Sequence, residues 1–225
     1  MPRALAVALA LLPALLAAPG CGALLARDET ERGRQAREPA FFARETEAIL
    51  VEVDWRRGRA PSEAALEALE ARLGERTGKP VVVSRDDEIA PGEDPDARAD
   101  VRAIERAHPR IVGLRVLYEA RSPDGLRGLC RGRDLFVYRD RIDDHAILWV
   151  RGTTLERTVL VHEAGHALGL DHCTRPDCVM YKPAGGEVWD WRMVLANLPA
   201  AFFLGRTPDD FCPLCRRDLD DPRSP

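Results

Sequence analysis

Three of the five histidines, His162, His166 and His172, fall in one run, HEAGHALGLDHC, with Glu163 directly after the first. Residues four apart stand one above the other on a helix face, so His162 and His166 aim two imidazoles at one point. Glu163 flanks that point, close enough to reach a water on a metal ion without ligating the metal. Gly169 can take the positive φ that ends a helix and turns the chain back, which brings His172 in as a third ligand. Three neutral imidazoles leave one tetrahedral position open, the arrangement of a catalytic zinc site. Zinc lowers the pKa of water in that position to about 7. Glu163 would take its proton as the water attacks a carbonyl, then return it to the leaving amine. The competing reading is structural, with three histidines satisfied by core hydrogen bonds. An interposed Glu and a third His at fixed spacing have no packing reason, which argues against it.

Four cysteines follow: Cys173 and Cys178 just after the third histidine, then Cys212 and Cys215 as a C-x-x-C. Two such pairs make a closed tetrahedral Cys₄ zinc site, which adds to folding stability. Disulfides Cys173–Cys178 and Cys212–Cys215 are the alternative in an oxidising compartment. Cys130 is left over and reads as a lone buried thiol.

The pattern H-E-x-x-H-x-x-G-x-x-H resembles the metzincin clan of zinc peptidases. Its extension H-C-x4-C-x-M, with the later C-x-x-C, resembles the archaemetzincins. That resemblance implies an α+β zincin fold: a mixed twisted sheet, helices above it, and a small irregular lower subdomain. It implies a zinc metallopeptidase acting on peptides or proteins, with Glu163 as general base and His162, His166 and His172 on a catalytic zinc. Cys173, Cys178, Cys212 and Cys215 would hold a second, structural zinc. Met180 would form the methionine turn, an apolar floor beneath the histidines. The edge strand before the metal helix would hold substrate by strand addition, and Leu135–Tyr138 and Ala146–Val150 are its two candidates. Tyr181 stands one position short of where some metzincins place an oxyanion-stabilising tyrosine. Asp171 either orients a ligand histidine or is a solvated loop residue. Residues 181–211 are longer than the family's spacing. Their Trp- and Phe-rich part, Val188–Gly205, reads as a packed helix broken near Pro199; a wall over the substrate's leaving-group side and a membrane-facing element are the alternatives. Two other activities stay open on the same fold: a non-catalytic zinc-stabilised binding protein, and a zinc amidase acting on a non-protein amide.

The elements that must position these groups are periodic in the sequence. Strands are expected at Ile49–Asp54, Pro80–Ser84, Ile111–Tyr118, Leu135–Tyr138 and Ala146–Val150. Helices are expected from Ser62 to about Leu73, at Asp96–Ala107, and from about Leu155 to Leu168. The last of these has Thr153 as N-cap and Glu156 closing a capping box. Residues 86–98, acidic and Pro/Gly-rich, read as a loop.

Ahead of that domain, residues 1–20 read as an export signal, with Arg3 before the apolar run Ala4–Ala18. Cys21 sits where a lipoprotein carries its acylated cysteine, so a lipid anchor is expected there, with plain cleavage and secretion as the other route. Residues 21–47 read as a charged tether and 48–225 as the catalytic domain. The location expected is the cell envelope or periplasm. In 225 residues the net charge is −4, which gives no basic surface for nucleic acid. Oligomeric state is left open.

Overall fold

In the computed structural model, residues 39–90, 92–95, 100–122, 125–144, 152–182 and 207–220 are described. Residues 1–20, Cys21, the strand expected at Ala146–Val150 and the aromatic stretch Val188–Gly205 lie outside them. None of the described helices is long and apolar enough to cross a membrane.

Among the described residues five strands form one sheet in the order β2-β1-β3-β5-β4. They are β1 (Ala48–Arg56), β2 (Val81–Ile89), β3 (Ile111–Glu119), β4 (Gly128–Arg131) and β5 (Asp134–Tyr138). The pairs β1–β2, β1–β3 and β3–β5 are parallel, while β4 pairs antiparallel to β5. The sheet is therefore mixed, as expected. Nearly every residue of β3 is buried, the pattern of a central strand covered on both faces.

Among the described residues the helices that accompany the sheet are α1 (Glu63–Thr77), α2 (Val101–Ala107), α3 (Arg139–Asp144), α4 (Gly152–Ala167) and α5 (Pro213–Asp220). The core runs from Ile49, Val51, Leu114 and Leu135 on the sheet through Leu66, Leu69 and Leu73 of α1 to Leu160 and Ala164 of α4. It continues without a break into Met180, Phe211 and Cys215, so the lower part of the molecule packs onto the same core. Near the start, Pro39–Phe42 form a 3₁₀ turn with Phe41 fully buried. Packed structure thus begins ahead of Ala48, inside the stretch expected to be tether.

Several expectations need correcting. The second strand is longer than Pro80–Ser84 and takes in part of the supposed loop, reaching Ile89. The helix before β3 is described over Val101–Ala107, and the start expected at Asp96 lies outside the described residues. Thr153 is not an N-cap, because α4 already includes Gly152. Glu156 closes no capping box. Its buried carboxylate instead accepts the N–H of Ser62, the N-cap of α1, at 2.9 Å and pairs with Arg139. One carboxylate thereby ties α1, α3 and α4 together. Among the described strands the edge beside α4 is β4, which the sequence reading did not contain, and Leu135–Tyr138 is an interior strand.

Candidate active site

His162, Glu163 and His166 all sit on α4. The helix ends in a Schellman motif: Gly169 N–H donates to His166 O at 2.9 Å and Leu170 N–H to Gly165 O at 2.9 Å. Gly169 has φ +95°, the left-handed conformation that its lack of Cβ permits. The chain turns back there as expected and returns His172 to the other two histidines. The His172 ring centroid lies 5.3 Å from that of His162 and 4.7 Å from that of His166.

Backbone carbonyls fix the tautomers. His162 Nδ1 lies 2.8 Å from Val179 O and His166 Nδ1 lies 2.7 Å from Leu170 O, so each Nδ1–H donates. Both Nε2 atoms are then left as bare lone pairs, and they face each other at 3.2 Å. Two lone pairs so placed repel unless a cation lies between them. A tetrahedral zinc with nitrogens at its usual bond length would hold them about 3.4 Å apart. Burial pushes the pKa of His162 down to about 3 and that of His172 to about 4, and lowers His166 too; neighbouring histidines add to this at His162 and His172. The neutral rings are the form that ligates metal.

Glu163 is buried beside them, and burial pushes its carboxyl up to about 8, against the pull of Arg127. Its position depends on a close approach by β4. A Cβ added to Gly128 would stand 2.5 Å from Glu163 Oε1 and 2.8 Å from Val159 Cγ1. Only glycine lets the edge strand pass there. A second glycine works from below. A Cβ on Gly165, between the two helical histidines, would overlap the fully buried Met180 sulfur and come within 2.9 Å of Phe211 Cε1. Met180 therefore forms a floor against which α4 rests. Sequence reasoning anticipated that floor but missed Gly165, Gly128 and the edge strand.

The four cysteines Cys173, Cys178, Cys212 and Cys215 also converge, with all their sulfurs within 4.8 Å of one another. Cys173 and Cys212 sulfurs lie 3.7 Å apart, as do those of Cys178 and Cys215. A tetrahedron of thiolates on zinc has edges of about 3.8 Å, whereas a disulfide bond needs about 2.0 Å. The close pairs run across the two segments, not within each as the disulfide alternative has it, and all four are free thiols. S–H donation from Cys178 and Cys215 holds the Cys173 thiol well below its ordinary range, while Cys178 and Cys215 shift upward. Cys173 is also tied to the methionine segment, its N–H donating to Met180 O at 2.7 Å. The donor sets at both clusters fit zinc: three imidazole nitrogens at one, four sulfurs at the other.

A cleft of about 470 Å³ opens over the histidines, lined by Arg127, Gly128, Glu163, Tyr181 and Lys182 among others. Asp171 lines it too and exerts a charge effect on His166. Cys130 lines it as a half-buried thiol, pushed up to about 12 by burial, so it is less enclosed than expected.

Comparison with known proteins places these features in a family context. The matrixin family model matches residues 115–187, from β3 through the histidine run. No curated protein matches the chain significantly. Among solved structures, the chain is similar to the archaemetzincin of Methanopyrus kandleri, at 21% identity over 79% of this chain and 96% of that one, with a TM-score of 0.48. It is also similar to the Archaeoglobus fulgidus archaemetzincin complexed with malonate (18%, 76% and 98%, TM-score 0.41). A zinc-dependent peptidase from Methanocorpusculum labreanum is a further similar structure (20%, 75% and 99%, TM-score 0.42). Residues 115–187 thus match the matrixin family model, and the chain is similar to solved archaemetzincins.

Proposed function

We propose that the chain hydrolyses peptide bonds with Glu163 as general base and one zinc on His162, His166 and His172, while Cys173, Cys178, Cys212 and Cys215 hold a second zinc that is structural. The observation that carries this is the pair of bare Nε2 atoms facing each other at 3.2 Å with a buried carboxylate alongside. When bound at the histidines, zinc supplies a Lewis acid that polarises the scissile carbonyl and acidifies water. The chain's own groups do the rest. Val179 O and Leu170 O hold the imidazoles in the ligating tautomer. A Glu163 carboxylate oxygen takes a proton from the attacking water and hands it to the leaving amine nitrogen, which then departs as a neutral amine. The β4 edge offers backbone groups to an extended substrate lying in the cleft. Residues 1–20 and Cys21 support export and lipid anchoring at the cell envelope.

The test is Glu163→Gln, assayed on a mixed peptide library by mass spectrometry. The amide keeps the shape but cannot accept the proton. Turnover should fall by roughly 10²–10⁴ with zinc content unchanged. Turnover retained to within a few-fold would remove Glu163 from the role.

A further inference from the structure

We propose that Arg127 is a specificity residue that binds a carboxylate of the peptide substrate; this rests on the peptidase reading of the cleft. Arg127 directly precedes the edge strand at Gly128, and the strand's close approach to Glu163 brings the guanidinium into the same cleft. It lines the cleft together with Glu163 and His162 and acts electrostatically on both. Among the described residues its guanidinium donates no hydrogen bond and has no carboxylate within salt-bridge distance. The other arginines near it are engaged: Arg139 with Glu156 and Asp143, Arg141 with Asp144 and the Gly125 carbonyl. Burial destabilises an unpaired guanidinium, and the like charge of Arg141 adds to that, lowering the Arg127 pKa to about 10. An anion entering the cleft relieves both effects. Guanidinium matches a carboxylate through two parallel N–H···O bonds. Lys182 lines the same cleft and adds a second positive charge.

Two carboxylates occur in peptides, at the C-terminus and on Asp or Glu side chains, and three probes separate them. They are an N-acetylated alanine hexapeptide as the free acid, its C-terminal amide, and the amide series with one alanine at a time replaced by Glu. Each is titrated calorimetrically into zinc-loaded Glu163→Gln protein, which binds without turnover, with and without Arg127→Met. Arg127→Lys, which keeps the charge but loses the fork, is the conservative control. Zinc content and melting temperature confirm that each variant folds. One carboxylate-bearing probe should bind at least about tenfold more tightly than the plain amide, a ratio that collapses towards one in Arg127→Met and returns in part in Arg127→Lys. Preference for the free acid assigns a terminal carboxylate; preference within the Glu series assigns a side chain. Equal binding of all probes, or a preference that survives Arg127→Met, overturns the proposal. A carboxylate preference that depends on Arg127 in a protein whose wild type cleaves none of the probes would keep this inference and sink the peptidase reading instead.

Discussion

The two metal-type clusters are built in opposite ways. The histidine cluster comes from one continuous stretch: two ligands lie a turn apart on α4, and a six-residue Schellman turn returns the third. Its geometry is fixed by a local hydrogen bond, His166 Nδ1 to Leu170 O, and by one from His162 Nδ1 to Val179 O in the methionine segment. The cysteine cluster draws its pairs from segments 34 or more residues apart, and nothing but tertiary closure brings Cys173 to Cys212 or Cys178 to Cys215. A site that a helix preforms gains function from its metal and little fold. A site assembled from distant segments gains fold, because the metal closes a long loop that the unfolded chain must otherwise close unaided.

Breaking the cysteine site should therefore have the largest effect on stability. Cys215→Ser should lose one zinc and lower the melting temperature by roughly 10 °C or more, since a chain of this size shifts by about 2–4 °C per kcal/mol. His166→Ala should also lose one zinc and abolish peptide cleavage, but shift melting by only a few degrees. Equal melting shifts for the two would erase the contrast. Next comes the floor under α4. Gly165→Ala drives a methyl into Met180 and Phe211, an overpacking of about 1–3 kcal/mol, with partial loss of activity as the helix is pushed off its seat. Gly128→Ala presses on Glu163 and Val159, and kcat should drop about tenfold with both zincs kept. The smallest effect is on acid stability of the metal-free chain. Folded His162 and His172 titrate near 3 and 4, below the ordinary value of about 6.5. Between those limits the unfolded chain binds more protons than the folded one. The histidines' contribution should be full above pH about 6.5 and decline as pH falls towards 3, while that of Glu163, whose carboxyl is pushed up to about 8, is lost as pH rises towards 8, so stability should peak near pH 6.5. Chelator-treated protein melted below that peak reads the slope, and a flat or rising trend on acidification there would contradict it.

The local site was legible in the sequence for the same reason that it is preformed. Helical spacing, a glycine at the turn and an adjacent carboxylate are all short-range features. The convergence of the cysteines was legible only as one of two readings, a Cys₄ site against disulfides within each pair, since no local rule ties Cys178 to Cys215. The β4 edge was missed because Gly-Leu-Cys-Arg has no β-branched residue and no alternating pattern. It is a strand because it pairs antiparallel to β5 across the turn at Gly132, whose φ is +62°. Gly128 and Gly165 carry meaning only against what faces them, Glu163 and Met180, and neither contact is visible along the chain. Glu156 was misread for the converse reason. A locally plausible capping pattern lost to a partner 94 residues away, the Ser62 N–H.

The measurement that bears most directly on this contrast is zinc content during graded chelation, by elemental mass spectrometry, on protein beginning at residue 22. Two zincs per chain are expected. The first should leave at low chelator with activity, because the histidine site opens into the cleft. The second should leave only as the fold melts, because three of its four cysteines are buried. One zinc per chain, with the four cysteines no longer titrating as thiols, would contradict the account and return them to disulfides.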